Sequence, residues 1–457
     1  MKLSFLNRNR EISRINKAIN TQGSAFIVVY GRRRCGKSTL LQHISREQDI
    51  YYLADQRETI LQIEAIAHEI ERTIPHFTSV HYPSWDALLM NLNERAERNS
   101  CLILDEFPYL VQSSPELPSI LQRFLDSPVE KKINLIISGS SQRMMSGIVL
   151  DATAPLYGRA KELLKINPLN PGWITDAFSI DASEAVKAYS ILGGVPRYWE
   201  LAQDYDNLDD SLKQLILDKD GVLHDEPMRL LLDDMRSATQ PYSILTLIGY
   251  GCHRLSEIAG RLGKPSNNLT RPLATLIDLG YVHRDVPFGE NIKSTKRTLY
   301  KLNDPFLNFY FTFVLPNKTL LGMGLTEKVY NSLKKYLPHY ISGIWEEMAR
   351  LSVPHLDIDS IQWGPARRWW GNNKNNMPME IDIVAESIDK KYVLIGEAKW
   401  TDGSDIKVLK SKLESEIDEL PFLKGRKMVF AYWLKNSTKE KSLSHIITAE
   451  DVLRCLK

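Results

Sequence analysis

A glycine-bounded loop between an apolar run and a helical pattern constrains the fold of this chain more than any other feature. The loop reads Gly-Arg-Arg-Arg-Cys-Gly-Lys-Ser over residues 31–38, directly after the run Ala-Phe-Ile-Val-Val-Tyr at 25–30. Such a run is typical of a strand buried on both faces, and residues 37–47 have the pattern of a helix. The strand–loop–helix order predicts a phosphate-binding loop, whose backbone N–H groups close around phosphates at the positive end of a helix dipole.

The side chains of this loop predict ATP and Mg²⁺ as ligands. Lys37 would reach the β- and γ-phosphates, and the Ser38 hydroxyl would bind Mg²⁺. The other nucleotide contacts predicted within the loop are Gly31, Arg34, Cys35, Gly36 and Thr39. The flanking strand and helix favour this interpretation over a chance match in a basic turn.

Two further apolar runs, at 101–104 and 133–137, end in polar residues. After the first, Asp105 would hold Mg²⁺ beside Ser38 and Glu106 would polarise the attacking water, unless the pair is only a solvated acidic turn. After the second, Ser138 would sense the γ-phosphate or cap the next helix. Helical periodicity between the strands predicts an α/β fold with a parallel sheet and the ligand at its carboxyl edge.

Five motifs in the first 330 residues or so resemble the archaeal-type ATPases of the STAND branch of the AAA-like superfamily. The motifs are Phe5-x-Asn7-Arg8-x-x-Glu11, Tyr30-Gly31-Arg32-Arg33, Leu104-Asp105-Glu106-Phe107, Pro155-Leu156-Tyr157-Gly158-Arg159 and Gly193-Gly194-Val195-Pro196-Arg197. The resemblance implies that the segment with Arg8 lies over the adenine and that the turn at Pro196 docks a helical subdomain onto the nucleotide. It also implies that Arg159 senses or stabilises the γ-phosphate; a surface salt bridge is the alternative. Asn7 departs from the family, which often has glycine there.

The middle of the chain has the pattern of a helical lid followed by a winged helix. Residues 182–235 have helical character. Three helices are then predicted at 243–248, 253–262 and 266–278, followed by two strands at 281–286 and 297–302. Residues 261–301 carry eight basic side chains against three acids: Arg261, Lys264, Arg271, Arg284, Lys293, Lys296, Arg297 and Lys301 against Asp278, Asp285 and Glu290. This surplus predicts either DNA contact or a structural and regulatory domain, and the pattern leaves both open.

The C-terminal part resembles the PD-(D/E)XK nuclease fold and the DUF234-type domain fused to archaeal-type ATPases. Its predicted αβββαβ order has a helix at 340–351, acids at 380–382, Glu-Ala-Lys at 397–399, a helix at 406–420 and a strand at 428–433. Because residues two apart on a strand share a face, Glu397 and Lys399 should both point toward Asp382. By resemblance, Glu347 on the preceding helix would complete the site.

These residues predict a second metal site, which would act on DNA. Asp382, Glu397 and Glu347 would hold Mg²⁺ through oxygen ligands, and Lys399 would activate the attacking water. The alternative for Glu397 and Lys399 is a cross-strand ion pair, and a domain with this fold can also bind without cutting. Residues 367–370, Arg-Arg-Trp-Trp, would form either a DNA-contacting turn or cation–π packing.

The complete sequence predicts an α/β protein with a P-loop ATPase core at 1–170, a helical lid at 171–240, a winged helix at 241–316 and a restriction-endonuclease-like domain at 328–457. A polar linker is expected at 317–327. The expected function is an ATP-binding and ATP-hydrolysing switch that controls a Mg²⁺-dependent, DNA-directed nuclease-like domain. The alternatives are a signalling ATPase whose C-terminal domain only binds DNA or a protein partner, and a transcriptional regulator that reads DNA through residues 266–278. A homo-oligomer is also left open, since Arg159 would need a neighbour to act in trans.

The charge, cysteine content and hydropathy of the sequence exclude several classes of protein. A net charge of +2 excludes a protein that coats polyanions with its whole surface. The four cysteines lie far apart, which argues against a structural zinc site or a disulfide framework. No apolar run approaches the roughly 20 residues that a membrane span requires, so we expect a soluble, cytoplasmic protein without membrane contact.

Overall fold

The chain forms two units, each with its own five-stranded sheet. The computed structural model describes residues 3, 5–21, 23–235, 237–292, 294–372, 377–403, 408, 409, 411, 413, 422, 423, 425–436 and 445–457. The N-terminal unit comprises residues 5–168 together with the short segment 232–235, and the C-terminal unit comprises residues 169–231 and 237–457.

The N-terminal unit is built on a five-stranded sheet in which all paired strands run parallel, in the order β2–β3–β4–β1–β5. The strands are β1 (Phe26–Tyr30), β2 (Ile50–Leu53), β3 (Cys101–Asp105), β4 (Asn134–Gly139) and β5 (Glu162–Lys165). Alternate residues of β1 enter two different apolar clusters, with Phe26 and Val28 in one and Ile27 and Val29 in the other. The sheet therefore has a core on each face, as the continuous apolar run predicts.

Helices connect these strands. They are α1 (Asn9–Ile19), α2 (Lys37–Ile44), α3 (Thr59–Glu71), α4 (Trp85–Arg95), α5 (Phe107–Ser113), α6 (Leu117–Asp126) and α7 (Gln142–Met145). Helix α2 ends three residues before the predicted position. The reason is local: Asp49 accepts a hydrogen bond from the Arg46 backbone N–H (2.9 Å) and pairs with the Arg46 side chain, which holds the chain in a turn.

The first half of the C-terminal unit is helical and includes a winged-helix arrangement. Its helices are α8 (Ile174–Phe178), α9 (Ala182–Leu192), α10 (Pro196–Ala202), α11 (Leu208–Ser211), α12 (Glu226–Asp234, whose end belongs to the N-terminal unit), α13 (Thr239–Gly249), α14 (Leu255–Arg261) and α15 (Asn267–Asp278). The antiparallel strands β6 (Val282–Asp285) and β7 (Leu299–Leu302) follow α15 and form the wing. Three helices and a two-stranded wing thus form in the order that the sequence predicts.

The predicted linker at 317–327 is wrong, because much of it is helical. After α16 (Pro305–Phe309), the chain forms α17 (Lys318–Gly322) and α18 (Thr326–Leu333). Leu321 on α17 and Val329, Tyr330 and Leu333 on α18 are buried. Burial of these apolar side chains, spaced three or four apart on α18, stabilises helices where the polar composition suggested a loose connection.

The C-terminal sheet has five strands in the order β12–β11–β10–β9–β8. Helix α19 (Leu337–Ser352) precedes it, and the later elements are β8 (Arg367–Asn372), β9 (Pro378–Glu386), β10 (Tyr392–Lys399), β11 (Lys427–Leu434), β12 (His445–Thr448) and α20 (Ala449–Cys455). The strand β12 and the helix α20 were not predicted from the sequence. Most of the predicted helix at 406–420 lies outside the described residues.

A mixed α/β class, with a parallel sheet and a separate C-terminal sheet, confirms the predicted fold class. Among the described helices, none combines the length and the apolar character needed to cross a bilayer.

Candidate functional site

The loop after β1 has the backbone geometry of a phosphate cradle. Gly31 has φ +147°, and a Cβ there would lie 2.3 Å from the carbonyl oxygen of Ile166, so only glycine fits. Gly36 has φ +88° and precedes the first turn of α2, and a Cβ there would meet no atom within 4 Å. Arg34 also lies in the left-handed region, with φ +67°. The loop therefore leaves open space in front of the N-terminus of α2, where an anion is stabilised.

Lys37 is buried at the start of α2, and its Nζ donates to the carbonyl oxygen of Arg32 in the same loop (3.2 Å). Burial lowers the pKa of Lys37, while the nearby carboxylates of Glu106 and Asp105 oppose that shift. Ser38 follows it, and Thr39 lies exposed in the same turn. The predicted positions of Lys37 and of the two acids thus meet at the carboxyl edge of the sheet.

Tyr51 on β2 joins this site and was not predicted. Its hydroxyl donates to Asp105 Oδ2 (2.6 Å). Burial, with the Asp105 carboxylate next, raises the pKa of Tyr51. Tyr51 therefore stays protonated and holds the carboxylate beside Ser38, where the sequence places Mg²⁺.

Glu106 and the serines at the end of β4 and just after it form a further part of this site. Glu106 has φ +53°, and its carboxylate accepts hydrogen bonds from the Ser140 hydroxyl and the Ser140 backbone N–H (3.2 Å). Ser141 accepts from the N–H of Met144 and caps α7. The Ser138 hydroxyl is buried and has no hydrogen-bond partner within the part of the chain that the structure describes. Such an orphaned polar atom beside the loop fits contact with a ligand.

The segment before α1 lies against the loop, as the resemblance implies. The buried Arg8 guanidinium donates to the carbonyl oxygens of Cys35 (3.0 Å) and Asn167 (2.7 Å). The Phe5 ring stacks on His43 of α2, with centroids 4.1 Å apart. Burial lowers the pKa of Arg8, and Glu11 opposes that shift. Arg8 thus fixes this segment to the loop through main-chain contacts, and its role toward adenine stays a prediction.

A segment from the end of α12 completes the N-terminal unit at the loop. Arg33 Nη1 lies 2.7 Å from Asp233 Oδ2, and Arg33 Nη2 donates to the Tyr109 hydroxyl (3.0 Å). The neighbouring Asp234 is buried and interacts electrostatically with Lys37. Two acids of the chain itself therefore lie beside the cations that would bind phosphates. The sequence pattern gave no signal for this contact, because it joins residues 200 positions apart.

Two residues of the predicted nucleotide site are placed differently. Arg159 forms a two-point ion pair with Asp126, with Nε–Oδ1 and Nη2–Oδ2 distances of 2.9 and 2.7 Å, so the surface salt bridge is the arrangement found. A guanidinium held by a carboxylate in this way is not directed at a phosphate. Pro196 begins α10 in the C-terminal unit, and its part in nucleotide binding stays a prediction.

In the C-terminal unit, β9 and β10 bring Asp382, Glu397 and Lys399 together. Gly396 pairs with Ile383, so Glu397 and Asp382 are the next neighbours along the two strands. Lys399 Nζ lies 2.5 Å from Glu397 Oε1 and 3.8 Å from Asp382 Oδ2. Burial works against the charge on Lys399, but Glu397 and Asp382 outweigh it and raise its pKa. The predicted cluster forms, and its lysine is ion-paired.

The α19 acid that lies beside this cluster is Glu346 rather than the predicted Glu347. Burial, followed by the charge of Asp382, raises the pKa of Glu346 to about 7. Glu346 also lies 3.9 Å from Arg350, which donates to the Asp382 carbonyl oxygen (2.9 Å). Glu347 instead faces the wing, 3.8 Å from Lys301. One residue along α19 rotates a side chain by about 100°, which separates the two acids.

The carboxylate oxygens of the C-terminal cluster are suitable ligands for Mg²⁺, but in this structure they form ion pairs with Lys399. The residues that the structure describes contain no group of three or more His, Cys, Asp or Glu side chains arranged to hold a metal ion. Asp382 and Glu397 offer the hard oxygen ligands that Mg²⁺ prefers. Metal binding there requires Lys399 Nζ to move away from the Glu397 carboxylate.

Residues 367–370 belong to an edge strand and do not form the predicted turn. Strand β8 pairs with β9, and Trp370 lies opposite Glu380. The Arg368 guanidinium lies 4.5 Å and the Arg297 guanidinium 5.9 Å from the Trp370 ring centroid. The cation–π alternative is therefore the arrangement found.

Comparisons with known proteins agree with this architecture. Residues 5–201 match a family described as an ATPase domain predominantly from Archaea, and residues 310–416 match archaeal and bacterial proteins of unknown function. An uncharacterized protein of Methanocaldococcus jannaschii is 31% identical over 416 residues, which cover 89% of this chain and 90% of that protein. The chain belongs to this archaeal P-loop ATPase family.

A solved structure shows the same fold. The Walker-type ATPase of Pyrococcus abyssi is similar with a TM-score of 0.52 at 18% identity, and the match covers 67% of this chain and 96% of that one. At this identity the likeness concerns the fold alone.

Replacing Glu346 should change how stability depends on pH. A carboxyl whose folded pKa is about 7 binds its proton more tightly than in the unfolded chain, where the value is about 4.3. Its stabilising contribution is fully present below about pH 4 and is lost as the pH rises through 7. Glu346→Gln removes this loss, so it should stabilise the ATPase by about 1–3 kcal/mol more at pH 8 than at pH 5. Thermal unfolding in EDTA at both pH values measures the effect.

Glu347→Gln is the matched control, since it removes a neighbouring carboxylate that pairs with Lys301. An equal change in melting temperature for Glu346→Gln at pH 5 and pH 8 would contradict the assignment of the raised pKa to Glu346.

Proposed function

We propose that this ATPase is a nucleotide-dependent switch that controls a Mg²⁺-dependent, DNA-directed site in the C-terminal unit. The observation that carries the DNA-directed part is the cluster of Asp382, Glu397 and Lys399 on adjacent strands. Two carboxylates and a lysine beside them are the groups that metal-assisted phosphodiester cleavage uses. Family membership supports the ATP-dependent part.

The residues around the phosphate loop fit ATP. Open space lies before Gly36, and Lys37 is buried and donates to a carbonyl oxygen of its own loop. Among the described residues, the buried Ser138 hydroxyl has no hydrogen-bond partner. Lys37 would exchange the Arg32 carbonyl oxygen for the β- and γ-phosphates. Ser38 and Asp105 would hold Mg²⁺, which neutralises phosphate charge when bound.

Glu106 is the residue proposed to orient the attacking water. Its carboxylate is held by Ser140, and its left-handed backbone is a strained conformation of the kind that clusters at functional sites. Hydrolysis would require the carboxylate to turn from Ser140 toward the water.

The contact of Arg33 with Asp233 supports a switch. A bound triphosphate brings negative charge to the cations that Asp233 and Asp234 now approach. Like charges in a partly buried site repel, so phosphate binding would weaken the hold of these acids on the loop. Because the acids end α12, whose earlier residues belong to the C-terminal unit, their release would report the nucleotide state to that unit.

At the C-terminal cluster, Asp382 and Glu397 are the proposed metal ligands. Mg²⁺ bound there would polarise a phosphodiester oxygen and lower the pKa of a bound water. Lys399, released from Glu397, would hold the water or the phosphate by its ammonium hydrogens. Arg350 would keep β9 in place through the Asp382 carbonyl oxygen.

Substitutions at the loop should separate ATP binding from hydrolysis. Lys37→Ala should abolish ATP binding, because it removes the buried ammonium at the start of α2 that would reach the β- and γ-phosphates. Glu106→Gln should retain binding and lose hydrolysis by about 10²–10⁴-fold, as expected for a water-orienting carboxylate. Calorimetric titration with ATP and a phosphate-release assay measure the two effects. Lys17→Ala, an exposed change on α1, is the control. Full ATP affinity in Lys37→Ala would refute the site.

Substitutions at the C-terminal cluster should abolish DNA cleavage. Labelled single-stranded, duplex and branched DNA are incubated with the ATPase and Mg²⁺ or Mn²⁺. Asp382→Asn and Lys399→Ala should lose at least about 10²-fold in rate, since each removes a group needed in the transition state. Lys391→Ala, an exposed lysine in the turn before β10, should keep full activity. Absence of cleavage by the unaltered protein, with ATP binding intact, would favour a signalling ATPase whose C-terminal domain only binds.

A further inference from the structure

A basic groove runs between the wing and the edge of the C-terminal sheet. It has a volume of about 1250 Å³. Four basic side chains line it against one acid: Arg254, Arg284, Lys296 and Arg297 against Glu380. We call it the wing groove. A polar channel with this excess of positive charge suits a polyanion.

The wing does not project freely in this unit. The Phe288 backbone N–H, in the loop between β6 and β7, donates to the Arg368 carbonyl oxygen on β8 (2.9 Å). The Phe288 ring packs edge-to-face on Phe422, with centroids 5.2 Å apart. Arg368 joins the wing to the sheet, 2.7 Å from Asp285 on β6 and 2.8 Å from Glu380 on β9. The wing loop is thus held against the edge of the sheet. Insertion of the wing loop into a groove of duplex DNA would break these contacts.

Part of the positive charge in the groove is available to a ligand. Arg284 and Lys296 form no ion pair with any of the described residues, and Arg284 Nε is buried without a hydrogen-bond partner among them. Arg297 shares its charge between Glu290 (2.6 Å) and the Trp370 ring. Two cations without acidic partners would contribute about 1.4 to the slope of log K against log salt for a single strand.

The groove leads toward the acid–lysine cluster. Glu380 in its wall and Asp382 of the cluster lie two residues apart on β9, so they share a face of that strand. Both carboxylates act on Glu346, which places them near the same part of α19. A polyanion in the groove would therefore approach the cluster.

We propose that the wing groove binds single-stranded nucleic acid and guides its backbone to the cluster of Asp382, Glu397 and Lys399. Arg284, Lys296 and Arg297 contact phosphates. Trp370 is half-buried in the groove wall, and a base would stack on its ring in place of the more distant Arg297 guanidinium, which would turn to a phosphate. This inference rests on the proposed DNA-directed role of the C-terminal unit and adds the strandedness of its substrate.

Fluorescence anisotropy with a labelled single strand tests this proposal on the full chain in EDTA, where no cleavage is needed. The Lys296→Ala/Arg297→Ala double variant, both exposed wing positions, should bind at least about tenfold more weakly. The slope of log K against log salt should become shallower by about 1.4, as expected for two lost phosphate contacts. Trp370→Leu should weaken binding with no change in that slope. Thermal unfolding establishes that each variant is folded.

Lys264→Ala/Arg271→Ala is the matched control, since it removes two exposed cations from the α14–α15 side of the winged helix and should change affinity less than twofold. Three outcomes would overturn the proposal: a larger loss in this control than in the wing variant, tighter binding of a hairpin duplex than of the single strand, and equal competition by polyglutamate. Because binding is read without metal or ATP, the proposed cleavage and switching can fail while the groove result stands, and the reverse.

Discussion

A buried cation at the start of α2 is the constraint on which the N-terminal unit depends. Taking the Lys37 ammonium out of water is costly unless negative groups surround it. The chain supplies them from three places: the end of β3 with Asp105 and Glu106, the loop carbonyl of Arg32, and Asp234 at the end of α12. The same acids that make the buried charge tolerable are those that a nucleotide would rearrange. In the proposed switch, this need for charge balance around Lys37 is what would make the acids respond to a bound nucleotide.

The C-terminal cluster follows the same electrostatic logic. Lys399 closes on Glu397 and Asp382, so the two carboxylates are balanced by a cation from their own sheet. The protonation of Glu346 near neutral pH also relieves charge there. In the N-terminal unit, acids lie beside Lys37, where a phosphate would bring negative charge, and in the C-terminal unit Lys399 lies where Mg²⁺ would bring positive charge.

Local sequence was sufficient for features that depend on neighbours in the chain. The run before Gly31, the loop itself and the pair Asp105-Glu106 follow from strand periodicity and backbone geometry, and the fold class follows from their order. Tyr51 and Asp233 could not be found in this way, since each joins the phosphate site through a contact across the tertiary structure. For such residues the sequence carries no periodic signal.

The errors in the C-terminal unit have the same origin. Glu346 and Glu347 both flank the apolar stripe of α19, so helical period does not decide which faces the sheet. Arg368 and its neighbours resembled an exposed turn because β9, which pairs with them, follows later in the chain. The local sequence also could not show whether the wing is available to bind DNA. The contact of Phe288 with β8 joins two segments that are about 80 residues apart in the chain.

The most direct test of the account is hydrogen exchange in residues 226–235, which contain α12 and its two terminal acids. If phosphate binding loosens the contact of Arg33 with Asp233, ATP should raise amide exchange in this segment severalfold relative to the nucleotide-free protein. The rise should be absent in Lys37→Ala. Unchanged exchange in this segment at saturating ATP would contradict the claim that the nucleotide acts on the rest of the chain through these acids.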